Sequence, residues 1–138
     1  MKTHTHEFRV ALHDSDAGGA MFFAHHFRHA HDAYEAFMAS IGHPLDRLIR
    51  EGRTLLPLVH AEADYRAPLR HGQSVSVHVS VAAVGNSAFT LDYRFIDDEG
   101  RTCALARTVH AHLDRDRGAS APLPAEMAAA LEERRSRP

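Results

Sequence analysis

Between Phe23 and Ile41, the residues Phe23, Phe27, Ala30, Tyr34, Phe37, Met38 and Ile41 recur at intervals of three and four. That spacing lines one face of a helix of about five turns. Gly42, followed by His43 and Pro44, supplies its stop. A stripe this long cannot stay in water, and the broadest surface that can cover it is a sheet.

The rest of the chain supplies strands. Phe8, Val10 and Leu12 alternate within His6 to Leu12 and predict a first strand ahead of the helix. A short helix is expected from Leu45 to Glu51, then a strand from Leu55 to Arg66. Gln73 to Val84 alternates most cleanly, with Val75, Val77, Val79 and Val81 on one face and Ser74, Ser76, His78 and Ser80 on the other. Gly85, Asn86 and Ser87 turn the chain into Phe89, Leu91, Tyr93 and Phe95. Asp97 to Gly100 turns it again into a last strand from Arg101 to Asp114, and the tail from 124 to 135 reads as a peripheral helix. Short loops between successive strands favour antiparallel pairing. The pattern is α+β: one domain, with an antiparallel sheet wrapped around one long central helix. Such a sheet leaves an edge or a face uncovered, so self-association is expected.

Composition narrows the function. At 138 residues the chain makes one domain with a sizeable core, and 44% hydrophobic with 25% charged residues is ordinary for a globular protein. Sixteen basic against eighteen acidic residues exclude a general nucleic-acid binder. One cysteine excludes a disulfide framework or a Cys-rich metal site and fits a reducing compartment. The N-terminal segment up to His13 has no apolar run of signal-peptide length, and no stretch approaches the roughly 20 residues of a membrane span. The expected compartment is the cytoplasm, with no membrane partner.

The chemistry gathers at Asp14-Ser15-Asp16-Ala17-Gly18-Gly19, between the first strand and the long helix. Glycines permit tight turns and close approach of a ligand. A helix N-terminus offers unpaired N–H groups and positive potential, suited to a carbonyl oxygen gaining charge. A carboxylate beside it can attack a carbonyl carbon or take a proton from water. The plainer reading is that Asp14 or Asp16 caps the helix. A calcium loop is excluded, because Gly18 and His25 stand where ligands belong.

The run Arg9-Val10, Asp14 to Gly19 and Phe22-Phe23 resembles the signature of hotdog-fold acyl-CoA thioesterases of the 4-hydroxybenzoyl-CoA thioesterase class. The likeness continues through His31 to Glu35, Leu56 to Ala61 and Ala121 to Pro124, where the chain looks most like 1,4-dihydroxy-2-naphthoyl-CoA thioesterases. The resemblance implies a single hotdog domain with a core over about 3–116 and a tail helix over about 124–135. It implies hydrolysis of an aromatic acyl-CoA, preferably 1,4-dihydroxy-2-naphthoyl-CoA. The alternatives are a 4-hydroxybenzoyl or short-chain ester, and a non-catalytic acyl-CoA-binding protein.

On the same ground Asp16 is the catalytic carboxylate, as nucleophile or general base. The backbone amide of Phe23 polarises the thioester, and Gly19 allows close packing there. Gly85, Asn86 and Ser87 match a loop that contacts the nucleotide, with Arg107, Arg115 and Arg117 as weaker phosphate contacts. His60 and His31 fall near the acyl group, and Phe22 opens an aromatic-rich helix suited to it. The site lies between subunits of a homodimer that assembles into a homotetramer. No metal or cofactor is implied, coenzyme A being part of the substrate. Ser15 replaces the more usual Thr or Cys, and the acid common at the position of His31 is displaced to Asp32.

Thirteen histidines raise a metal question. His25 and His29 are four apart on the helix, and His110 and His112 share a strand face, but neither pair brings a third ligand. The favoured reading makes them solvent-facing. His60 and His31 are each open to a second reading as satisfied core histidines, and Cys103 reads as a small buried hydrophobe.

Overall fold

The computed structural model describes residues 3–136. Strand β1 (His4–Arg9) leads through a short 3₁₀ turn at Leu12–Asp14 to helix α1 (His25–Ser40) and helix α2 (Leu45–Glu51). Strands β2 (Thr54–Leu55), β3 (Leu58–Tyr65), β4 (Ser74–Val84), β5 (Ala88–Ile96), β6 (Thr102–Ala111), β7 (Leu113–Asp114) and β8 (Ala119–Ser120) follow, and helix α3 (Ala125–Glu133) closes the order. Five strands form an antiparallel sheet in the order β1-β4-β5-β6-β3, and β2-β7-β8 form a small second sheet.

The alternation in the sequence sets the register. Val75, Val77, Val79 and Val81 of β4 point inward, as do Phe89, Leu91, Tyr93 and Phe95 of β5. Pairing places Val77 opposite Phe95 and Val79 opposite Tyr93, so the two apolar rows share one face. Ala30, Ala33, Tyr34, Phe37 and Met38 of α1 meet that face in one core. Fully burying a large apolar side chain contributes roughly 1.5–3 kcal/mol, so these rows dominate the folding energy.

Several boundaries differ from the sequence reading. Helix α1 begins at His25, because residues 22–24 form a turn whose carbonyls at Phe22 and Phe23 accept from the amides of His25 and His26. The expected strand from Leu55 divides at Pro57, and the last strand divides at His112, where β2 and β7 leave the main sheet to pair with each other. The tail helix is not peripheral: Met127 and Leu131 are fully buried in the core. Cys103 is buried as expected. Among the described residues no helix is long and apolar enough to cross a membrane.

One edge of the main sheet is bare. Seven of the eight residues of β3 are exposed, and only Ala63 is half-buried. Leu58, Val59 and Tyr65 are large apolar or aromatic side chains left in solvent there. Unpaired edge groups beside exposed apolar side chains form a surface for another chain.

Candidate active site

The loop between β1 and α1 is built around two aspartates. Asp14 is fully buried. Its Oδ2 accepts from the Ala11 amide at 2.9 Å, and its Oδ1 meets Arg28 and, at 3.1 Å, His29 Nε2. The Asp14 carbonyl accepts from the Phe22 amide at 2.8 Å. Asp14 thus ties the loop to the turn before α1 and to the helix itself. Burial pushes its pKa up, but the Ala11 amide, His29 and Arg28 outweigh that and hold it below the ordinary carboxylate value. Neither aspartate caps α1, which has Ala24 at its N-cap and no side-chain capping bond.

Asp16 is exposed, and its carboxylate is divided. Oδ1 accepts from the amides of Gly18 at 2.8 Å and Ala20 at 3.2 Å, and Oδ2 accepts from no described residue. Gly19 sits at φ +82°, a conformation that L side chains rarely adopt. A Cβ built on Gly19 meets nothing within 4 Å, so within one chain this glycine serves the turn and not close packing.

The turn at residues 22–24 supplies the other half. The Phe23 N–H has no acceptor among the described residues, and neither has that of Ala24. Phe22 and Phe23 of this turn are exposed apolar side chains, as is Leu12 earlier in the loop. The rings of Phe22 and Phe23 lie 4.7 Å apart. An oriented carboxylate with one free oxygen, unpaired amide donors and an apolar surround can hold and cleave an activated carbonyl compound.

Other predicted residues lie elsewhere in the chain. His31 is exposed and lines a cleft of about 300 Å³ with Tyr34, Leu45, Leu48 and Leu55, and Arg115 stands at the same cleft. His31 lies six helical steps beyond His25, the first residue of α1, or about 9 Å of rise past the turn that carries Phe23. His60 is exposed on β3 with Nε2 2.8 Å from Glu62 Oε1, which removes the core-histidine reading. His31, being exposed, loses it too. The turn at Gly85, Asn86 and Ser87 faces the C-terminal segment: the carbonyls of Asn86 and Ser87 accept from the amides of Leu123 and His112, each at 2.8 Å. A wider concavity of about 540 Å³ is lined by outward residues such as His78, Asp92, Arg94 and Arg107, and shares no residue with the Asp16 loop.

Three histidines expected in solvent are buried. His29 stacks on Phe8 with ring centroids 3.7 Å apart, and its Nδ1 is buried without a partner. His110 lies against Tyr34 and Phe89, with Nε2 3.0 Å from Thr108 Oγ1. His112 Nδ1 lies within 3.1 Å of the carbonyls of Ala121 and Pro122. Period-two parity along β6, which turns Ala104, Ala106 and Thr108 inward, was the signal that could have placed His110 inside. No group of three or more His, Cys, Asp or Glu among the described residues is placed to hold a metal ion.

Residues 10–131 match the family model of the thioesterase-like superfamily. The chain belongs to that superfamily. A 1,4-dihydroxy-2-naphthoyl-CoA hydrolase of Synechococcus elongatus is 35% identical over 112 residues, 80% of this chain and 82% of the relative. The enzyme of that name from Synechocystis is 33% identical over 125 residues, 90% of this chain and 91% of the relative. The crystal structure of a 1,4-dihydroxy-2-naphthoyl-CoA thioesterase from Synechocystis superposes with a TM-score of 0.88 at 31% identity, covering 95% of this chain and 96% of that one. A gentisyl-coenzyme A thioesterase superposes at 0.84 with 26% identity, covering 93% of this chain and 99% of that one. The antiparallel sheet with its helices is therefore the hotdog thioesterase fold, and the Asp16 loop lies inside the matched span.

Proposed function

We propose that this protein is an acyl-CoA thioester hydrolase, one hotdog domain whose sheet closes around α1, acting on an aromatic acyl-CoA. 1,4-Dihydroxy-2-naphthoyl-CoA is the preferred substrate, supported by the names of the relatives at 33–35% identity. The observation that carries the mechanism is the divided carboxylate of Asp16. Backbone amides fix Oδ1, which leaves Oδ2 oriented and unpaired, on the loop that leads into the turn carrying the unpaired Phe23 N–H.

In the nucleophilic route Oδ2 bonds to the thioester carbon while the carbonyl electron pair moves onto oxygen. The Phe23 N–H faces that oxyanion, collapse expels the coenzyme A thiolate, and water then cleaves the mixed anhydride. In the general-base route Oδ2 takes a proton from the attacking water. Both routes place the developing charge on the same oxygen. Neither requires a metal or cofactor, coenzyme A leaving as product.

A second copy completes the site in this reading. Within one chain the apolar cleft at His31 lies about 9 Å of helical rise beyond the start of α1, past the turn that carries the Phe23 amide. Pairing through the bare β3 edge carries His60, Val59 and Tyr65 into the interface and lets the cleft of one copy serve the loop of another. A homodimer, and a homotetramer built from it, follow. Gly85, Asn86 and Ser87 are the expected contacts for the nucleotide end. Sedimentation showing a monomer at assay concentration would end the two-copy reading. The cytoplasm, where a lone buried cysteine stays reduced, is the proposed compartment.

The test is free-thiol release from dihydroxynaphthoyl-, 4-hydroxybenzoyl-, benzoyl- and straight-chain acyl-CoAs, with Asp16→Asn beside the wild type. The expected result is turnover of one aromatic ester by wild type and a folded Asp16→Asn that is slower by about 10²–10⁴-fold. Binding of every ester without thiol release would replace the enzyme with an acyl-CoA-binding protein.

A further inference from the structure

The Phe23 carbonyl is the most heavily bonded acceptor at the site. Tyr65 Oη donates to it at 2.8 Å, the His26 Nδ1–H at 3.0 Å and the His26 backbone amide at 3.3 Å. The two His26 donors are local, three residues along the same turn. Tyr65 comes from the end of β3, 42 residues away. It braces the turn from one side while the Asp14 carbonyl, accepting from the Phe22 amide, holds it from the other.

We propose that Tyr65 is a positioning residue for hydrolysis: its hydroxyl pins the Phe23 carbonyl, which fixes the Ala24 N–H of the same peptide directly and restrains the Phe23 N–H across the Phe23 Cα. The inference rests on the reading above, in which the Phe23 N–H receives the thioester oxygen. An oxyanion donor works within about 2.7–3.1 Å of its target, and small misplacements are costly in rate. The turn needs such a brace because Phe22 and Phe23 are exposed and neither belongs to the core cluster of the described residues. A second effect has the same sign. Donors on a peptide carbonyl polarise that peptide group, here the one ending in the Ala24 N–H, and strengthen its N–H as a donor.

The ring and the hydroxyl of Tyr65 do separable work. The ring meets His26 edge-on at 4.7 Å and Phe23 at 6.2 Å, contacts that phenylalanine keeps. Tyr65→Phe therefore removes the brace and leaves the packing. Tyr65→Phe deletes one hydroxyl and its single hydrogen bond while the ring stays, so the stability cost is that of one hydrogen bond.

Phenylalanine is followed by alanine only once in the chain, at Phe23-Ala24. Full-length protein carrying ¹³C-carbonyl phenylalanine and ¹⁵N-alanine thus gives a single carbonyl–amide correlation that reports this peptide alone. In Tyr65→Phe that correlation should move, kcat should fall about fivefold to tenfold, KM should hold near wild type, and the thermal midpoint should fall by no more than that one bond accounts for. An unmoved correlation would show that the hydroxyl does not hold the carbonyl. A moved correlation with unchanged kcat, or a kcat loss that disappears per folded molecule, would make the bond merely structural. Wild type that releases no thiol would sink the thioesterase reading and this one with it, while the correlation would still decide whether the hydrogen bond exists.

Discussion

Asp14 is fully buried with both oxygens engaged by Ala11, Arg28 and His29; Asp16, two residues on, is exposed and keeps Oδ2 free. Both belong to one short motif, and each alone would pass for a helix cap. The difference lies in where their partners come from. Asp14's partners include side chains of α1, so its charge fastens the loop to the helix. Asp16's partners are amides of its own turn, so its charge stays at the surface and available. One aspartate is consumed in holding the other in place.

The sharpest way to break that contrast is to neutralise each in turn. Asp16→Asn should reduce kcat by about 10²–10⁴-fold and leave the urea midpoint near wild type, since it removes a reacting oxygen and little packing. Asp14→Asn should do the reverse. It leaves Arg28 and His29 facing a group without charge, at a cost of about 2–3 kcal/mol, moderated because Arg28 is 43% exposed. Its kcat per folded molecule should fall far less than that of Asp16→Asn. Paired urea curves and thiol-release assays decide the matter, and equal rate losses in the two variants would erase the distinction.

The sequence made one side of this contrast legible. The stripe from Phe23 to Ile41 predicted α1 except at its start, where residues 22–24 form a turn, and alternation predicted β4 and β5 nearly to the residue, because both signals are periodic and local. Asp16 was singled out by a resemblance, and its divided carboxylate came from the turn geometry. Asp14's burial was hidden because its partners lie 14 and 15 residues ahead on a helix stretch rich in histidine, which reads as a solvated face. The brace from Tyr65 was hidden for the same reason, being a contact across 42 residues.

Acid titration separates Asp14 from the buried histidines around the same helix. Burial, aided by nearby His31, pushes the pKa of His110 down to about 4 from 6.5. Between those values the unfolded chain binds the extra proton, so stability rises with pH across that window. It is full above about pH 6.5 and lower by about 2–3 kcal/mol near pH 4 from His110 alone. His26 and His29, also lowered chiefly by burial, add in the same direction. Asp14 and Asp97 share a second limb: both pKa values are lowered on folding, that of Asp97 to about 2 chiefly by the Arg101 backbone amide, so their contributions are lost as pH falls further, and Asp14→Asn removes only its own part. Urea midpoints from pH 7.5 down to pH 3 should show both limbs, the upper flattened in His110→Gln and the lower reduced in Asp14→Asn. A single limb unaffected by either variant would refute the assignment.

The smallest expected effect tests how Asp16 is aimed. Gly18 and Gly19 stand together beneath its carboxylate, yet the fold uses them differently. A Cβ on Gly18 would lie 3.4 Å from Asp16 Oδ1, an ordinary contact, while Gly19 has open space and a φ of +82°. If the turn's conformation aims Asp16, Gly19→Ala should cost about 1 kcal/mol of stability and lower kcat severalfold, and Gly18→Ala should cost less in both. If close approach of substrate or a second copy also governs this corner, Gly19→Ala should in addition raise KM or weaken the dimer beyond what that strain accounts for. The two outcomes separate backbone strain from occupied space, because within one chain nothing lies where the new methyl group would go.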